Sequence, residues 1–143
     1  MIRPILACKN PYETAEEFVA AGWKIDFSQP PESGDPLVGV SLYDNSVLLG
    51  VTEGYVANDQ KQYVGCGVVL YLTVPSNEFR TVYEKHRSLC PSEMEIQMWG
   101  DTTFEVEIGG FKFMITSKWE ELMDKINIVY NQIEKSIYTL GLI

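Results

Sequence analysis

One order of elements occurs twice in this chain: strand, helix, strand, strand, strand. In the first copy "RPILACK" is an apolar strand that stops at "NPYE". There Asn10 suits a helix N-cap, Pro11 its first position and Glu13 a capping-box arrangement. The predicted helix carries Tyr12, Ala15, Phe18 and Val19 on one face and ends near Gly22. "WKIDF" (23–27) reads as a short strand and "SQPPESGDP" (28–36) as a loop, since its prolines and glycine break regular structure. "LVGVSLYDNSVLLGVT" then reads as a hairpin turning at Asp44–Asn45, residues that tolerate left-handed backbone.

After a polar connection without periodicity, 53–66, the order restarts. "GVVLYLTV" (67–74) reads as a buried strand. Ser76 is placed to cap a helix with Phe79, Val82, Tyr83 and His86 at i, i+3, i+4, i+7 spacing. "LCPSE" is a loop and "MEIQMW" a short strand. "TTFEVEIGGFKFMIT" closes the unit as a hairpin turning at Gly109–Gly110. The caps Asn10 and Ser76 lie 66 residues apart and the hairpin turns 65 apart, so independent landmarks share one offset. Such matched offsets indicate an internal duplication. The chain is therefore expected to be an α+β protein of two βαβββ modules. Its expected organisation is one domain, with module one at 1–52, a linker at 53–66, module two at 67–116 and a C-terminal helix at 117–140.

That last helix opens on a Ser117–Glu120 capping box. Trp119, Leu122, Met123, Ile126, Val129, Ile133, Ile137 and Leu140 form an apolar stripe along about six turns. Such a stripe is expected to be covered, either by its own domain or by a second copy; periodicity does not name the partner.

The 143 residues carry 20 acidic and 11 basic side chains, a net charge of −9. That field repels phosphate backbones, which excludes nucleic acid as the expected partner, and attracts cationic or neutral small molecules. No apolar run approaches the roughly 18 residues needed to cross a bilayer, and "MIRPILACKNP" is too soon interrupted for a signal peptide. Cys8, Cys66 and Cys90 form no CxxC and are odd in number, which fits unpaired, structurally buried thiols in a cytoplasmic protein.

Alternation sorts both hairpins into two faces. With Gly109–Gly110 as a two-residue turn, Ile108 pairs with Phe111, Val106 with Phe113 and Phe104 with Ile115. This side is apolar. The other side sets Glu107 opposite Lys112, Glu105 opposite Met114 and Thr103 opposite Thr116. Lys112 is expected to neutralise Glu107 across the strands, which leaves Glu105 without an evident partner. In the first hairpin Val38, Val40, Leu42, Val47, Leu49 and Val51 form the apolar side. Gly39, Ser41, Tyr43, Leu48, Gly50 and Thr52 form a mixed one. Small residues, a tyrosine and scattered polar groups suit a concave pocket or a solvent face.

Three stretches carry a family resemblance: "PILACKNPYETAEEFVAAGW", "VVLYLTVPSNEFRTVYEKH" and "MWGDTTFEVEIGGFKFMI". In this order they resemble the vicinal-oxygen-chelate superfamily of glyoxalases, extradiol dioxygenases, and fosfomycin- and bleomycin-resistance proteins. The resemblance implies that the two modules form a partly open mixed β-sheet barrel with helices outside, and that the mixed faces line the ligand cavity. It also implies that metal-dependent relatives keep His, Gln or Glu at positions falling here near Arg3 or Pro4, near Gly50, near Val69 and at Met114. None of these residues suits a hard divalent ion. The family's usual Asp-Pro-Asp-Gly turn is Glu107-Ile108-Gly109-Gly110 here.

His86, the one histidine, lies on a helix with no acid or nucleophile placed beside it, so no catalytic residue is assigned. Tyr71, Trp99 and Tyr43 are the aromatics expected to see the cavity, where ring faces bind flat or cationic groups. The predicted ligand-binding set is Tyr43, Gly50, Val69, Tyr71, Trp99, Glu105, Lys112 and Met114, with no metal and no cofactor. The leading expectation is a homodimeric small-molecule binder that sequesters a cationic or planar compound. The alternatives are a metal-dependent glyoxalase- or dioxygenase-like enzyme and a dimeric structural or sensory module.

Overall fold

The computed structural model describes residues 1–117 and 119–141. The first module consists of β1 (Ile5–Ala7), α1 (Pro11–Ala20), β2 (Lys24–Ser28), β3 (Leu37–Leu42) and β4 (Asn45–Gly50). The second consists of β5 (Val69–Thr73), α2 (Phe79–Lys85), β6 (Glu95–Ile96), β7 (Thr102–Ile108) and β8 (Phe111–Ser117), followed by α3 (Trp119–Thr139). Each module forms one four-stranded mixed sheet, ordered β1-β4-β3-β2 and β5-β8-β7-β6. The outer pair is parallel in both, β1 with β4 and β5 with β8, and the remaining pairs are antiparallel. The βαβββ order thus produces the same topology twice. Neither sheet closes on itself, so each keeps open strand edges.

Local chemistry sets the first helix as its sequence indicates. Asn10 Oδ1 accepts from the backbone N–H groups of Tyr12 and Glu13, and Pro11 occupies the first turn. Ala15 and Phe18 are buried, whereas Val19 is 45% exposed and does not share their face. The second helix starts later than expected: Glu78, not Ser76, is its N-cap residue. The first hairpin turns one residue earlier than expected, at Tyr43–Asp44, and Asn45 pairs with Leu42. Tyr43 takes the left-handed conformation this tight turn demands, with φ of 53°. Strand β5 is not fully buried: Leu72 is, but Val69 and Tyr71 on its opposite face are each 49% exposed.

The apolar faces of both sheets and the buried sides of α1 and α2 share one core. Its centre joins the modules through aromatic edges. Phe18 of α1 lies 5.0 Å from Trp23 and 5.7 Å from Phe113 of β8, and Trp23 lies 5.4 Å from Phe113. Such edge-to-face pairs contribute about 0.5–1.5 kcal/mol each beyond burial. Beside them the Trp23 indole N–H donates to His86 Nε2 at 3.0 Å, and both residues are buried. His86 follows α2, and its Nδ1 lies 2.7 Å from the Val82 carbonyl oxygen. These partners require the tautomer with the proton on Nδ1 and a bare Nε2.

The connecting segment is also tied down. It contains a 3₁₀ helix, Asn58–Tyr63. Lys61 from that helix is 6% exposed and donates its ammonium to the Cys8 carbonyl oxygen at 3.2 Å. Gly65 lies so close to the β7–β8 turn that a Cβ there would come within 2.1 Å of the Gly110 carbonyl oxygen. Ser117 ends β8 with a buried hydroxyl. The Glu120 half of the expected capping box, and the side chains of Trp119, Leu122 and Met123, lie outside the described residues. Of the remaining stripe, Ile126, Val129, Ile133 and Leu140 are exposed by 53–72% and Ile137 is half-buried. The core does not cover the described part of α3.

Two expectations follow. Burial lowers the His86 pKa below its ordinary 6.5, because a charge there loses its hydration and removes the acceptor for Trp23. The unfolded chain therefore binds the proton more readily than the folded one. This contribution to stability is complete above pH 6.5 and is lost as pH falls below it. The urea midpoint should drop between pH 7 and pH 5, and that dependence should be absent in His86→Phe. Separately, Gly65→Ala should cost about 2 kcal/mol or more by forcing backbone apart. Gly54→Ala, where a Cβ meets nothing within 4 Å, should stay within about 0.5 kcal/mol by the same urea measurement.

Candidate functional site

The second sheet presents three cross-strand rows on the face opposite the core. Strand register sets Thr73, Thr116 and Thr103 in one row, Tyr71, Met114 and Glu105 in the next, and Val69, Lys112 and Glu107 in the third. All three pairings expected within the β7–β8 hairpin are present. The rows follow from period-2 alternation along strands whose register is pinned by the apolar side, since a one-residue slip would bury the charges.

The rows differ in character. Thr116 and Thr103 are buried; Thr116 Oγ1 meets Thr73 Oγ1 at 3.3 Å, and Thr103 Oγ1 accepts from Gln97 Nε2 at 2.7 Å. In the third row Lys112 does not pair with Glu107 directly opposite. It reaches diagonally to Glu105, Nζ to Oε2 4.0 Å. Diagonal neighbours lie within reach of long side chains. Glu105 is therefore the partnered carboxylate, the reverse of the sequence expectation.

The middle row borders an aromatic and acidic cluster built by the β6–β7 connection. Tyr71 donates its hydroxyl to Asp101 Oδ2. The Trp99 indole N–H lies 3.2 Å from the same carboxylate oxygen and 3.2 Å from the Tyr71 hydroxyl oxygen. Trp99 is 59% exposed and Tyr71 49%. Gly100, with φ of 99°, makes the reversal that lets Trp99 and Asp101 meet. Tyr71 also lines a groove of about 300 Å³ between the modules, with Trp23, Asn45, Leu70 and Phe113 among its walls. That volume is at the lower end of small-molecule pockets. Asn45 ties the groove's two sides, donating from Nδ2 to the Thr73 carbonyl oxygen at 2.9 Å.

Of the sequence-predicted residues, this face collects Val69, Tyr71, Glu105, Lys112 and Met114, with Trp99 beside them. Two fall elsewhere. Gly50 lies on the first sheet, where Ile5 and Leu37 side chains approach within 3.4 Å of the space a Cβ would fill. Tyr43 sits in the hairpin turn, where partial burial and then the nearby Glu78 carboxylate push its phenol pKa up. It lines a different groove with Lys24, Ser41, Thr81 and Lys85. Asp101 and Gln97 were missed because both lie in a short irregular connection, where alternation assigns no face.

The four positions that the resemblance equates with metal ligands offer no set for one. Gly50 and Val69 carry no donor, Met114 offers a thioether, and the residues paired beside Met114 are Tyr71 and Glu105. A hard divalent ion needs several carboxylates or imidazoles converging. Among the described residues no three His, Cys, Asp or Glu side chains form such a group. The residues present do not fit the metal. His86 takes no part in this face. Cys8 is buried, and burial pushes its thiol pKa up, while Cys66 and Cys90 are exposed rather than buried.

No family model matches the chain, and no curated protein matches it in sequence. Solved structures match its shape. A bleomycin resistance determinant encoded on the transposon Tn5 superposes with a TM-score of 0.58 at 13% identity, covering 82% of this chain and 97% of that one. The chain has the fold of that structure. The bleomycin-binding protein of Streptomyces verticillus, solved with copper(II)-bleomycin, gives a TM-score of 0.59 at 16% identity over 81% and 93% of the two chains. The lactoylglutathione lyase of Agrobacterium tumefaciens gives 0.56 at 10% over 82% and 92%. One fold is thus shared with a bleomycin-binding protein and with a lyase, so the choice between such roles depends on this chain's own side chains.

The geometry makes a specific expectation about its charges. Lys112 and Glu105 are 53% and 42% exposed at the side chain, and exposed pairs contribute little. Lys112→Met should leave the urea unfolding free energy within about 0.5 kcal/mol of the parent.

Proposed function

We propose that this protein is a metal-free small-molecule binder that holds a cationic, planar compound at the Tyr71–Trp99–Asp101 cluster. The observation that carries the reading is the convergence of two half-exposed aromatic rings on one carboxylate. An indole and a phenol provide flat contact area, and their faces attract a cation at about 0.5–2 kcal/mol each. Asp101 supplies the fixed countercharge, and its two donors hold it in place. Met114, next to Tyr71 in the row, adds a polarisable apolar contact. Lys112, drawn toward Glu105, leaves the Asp101 side of the face acidic. The overall charge of −9 favours approach of a cation in the same sense.

Binding of bleomycin by a neighbour of the same fold supports the class of ligand. No residue in this cluster provides the paired acid and base, nucleophile or metal donors that a lyase or dioxygenase requires, so sequestration is the chemistry it supports best. The proposal includes a homodimer. It also includes a cytoplasmic location, where the exposed thiols of Cys66 and Cys90 stay reduced. No described helix is long and apolar enough to cross a membrane.

The test is a thermal-shift screen with planar cationic compounds, including metal-free and copper-loaded bleomycin, followed by titration calorimetry on any hit. A ligand at a hundredfold excess over its dissociation constant stabilises the fold by about 2.7 kcal/mol. Trp99→Ala and Asp101→Asn should each weaken binding about tenfold or more, equivalent to roughly 1.4 kcal/mol. A chelator should change neither stability nor affinity for a metal-free ligand. Stabilisation by a divalent metal alone, abolished by chelator, would overturn the metal-free reading.

A further inference from the structure

The described apolar stripe of α3 is left largely uncovered by the core, with Ile137 alone partly buried among its described residues. Ile126 and Ile133 are each 54% exposed, Val129 53% and Leu140 72%, with Tyr130 at 64% beside them. The spacing of these residues says what covers them. Trp119, Ile126, Ile133 and Leu140 stand seven residues apart, Leu122 and Val129 fall three after the first two, and Met123, Tyr130 and Ile137 follow on the next position. The remaining positions are polar or charged apart from Ile128 and Tyr138. A seven-residue apolar repeat over about three heptads keeps one seam facing a neighbouring helix that carries the same repeat.

Among the described residues no other helix fits that role. α1 and α2 have 10 and 7 residues, and their apolar sides are already in the core. α3 has 21 residues, about 31 Å of helix. A second copy supplies a helix of matching length and period, and a two-fold axis lets one seam serve both chains. Covering the described stripe residues on two copies removes on the order of 1,200 Å² from water, the lower bound for a specific dimer.

We infer that α3 is the self-association surface of this protein, pairing seam to seam with α3 of a second copy. The inference rests on the homodimer reading and names its interface. Sedimentation velocity across about 1–200 µM, a range centred on common dimer affinities, tests it. The full chain should sediment as twice its 16.2 kDa. Ile126→Glu with Ile133→Glu should raise the dimer dissociation constant at least a hundredfold. Asn131→Glu, on the opposite side of the helix, should leave it unchanged. Both substituted seam residues are half exposed, so the thermal unfolding of the sheet core, followed by circular dichroism, should persist. Ile133→Ser provides a milder second variant with the same expected direction. A chain monomeric throughout overturns both the homodimer and this surface. A dimer indifferent to the seam variants overturns the surface alone.

Discussion

The hydrogen bond from Trp23 to His86 joins two modules that are otherwise separate sheets. Trp23 belongs to the first module, just before β2, and His86 to the second, just after α2. Their 3.0 Å contact sits in a core that includes Phe18, Phe79, Phe104, Phe111, Phe113 and many aliphatic side chains. In such surroundings an unpaired indole N–H or imidazole nitrogen carries its full desolvation cost, about 1–3 kcal/mol. The pairing removes both costs at once and specifies one way of docking the modules. The aromatic edges of Phe18 and Phe113 then close around Trp23, and the groove lined by Trp23 and Tyr71 takes its shape from that docking.

The mixed face of the second sheet depends on this arrangement. The residues that back it, Phe104, Phe113 and Ile115, are held by the shared core, which locks the β7–β8 register. With register locked, Tyr71, Met114 and Glu105 must lie in one row. Only the last component, the Trp99–Asp101 connection, is built by irregular backbone. This division places a tunable polar feature on a rigid support, the arrangement by which loops acquire binding roles on stable scaffolds. At the strand positions that the resemblance equates with metal ligands this chain has glycine, valine and methionine, and its aromatic and acidic groups gather at the sheet's margin.

Much of the fold was legible because its causes are local. Asn10 and Pro11 start a helix by satisfying its free N–H groups, and Gly109–Gly110 turns a hairpin because glycine accepts positive φ. The face assignments of β7 and β8 held residue for residue, since alternation leaves one register that buries Phe104, Val106 and Phe113 together. The misreadings occur where tertiary contacts override local preference. Lys112 chose Glu105 over the directly opposed Glu107. The first hairpin turned at Tyr43, moving that ring off the sheet face and toward Glu78.

The amino-acid sequence by itself determined the duplicated βαβββ order, the apolar and mixed faces of the hairpins and the amphipathic last helix. Each follows from periodicity, capping or residue chemistry, which act over a few neighbouring residues. Only the tertiary structure decided that His86 is an internal strut and not a surface histidine, and that Lys61 is buried. It also decided that Asp101 meets Tyr71 and Trp99, a contact spanning 30 residues of sequence between Tyr71 and Asp101. Such contacts are set by how two sheets dock around one core, and docking depends on shape complementarity across the whole interface, which no local pattern encodes.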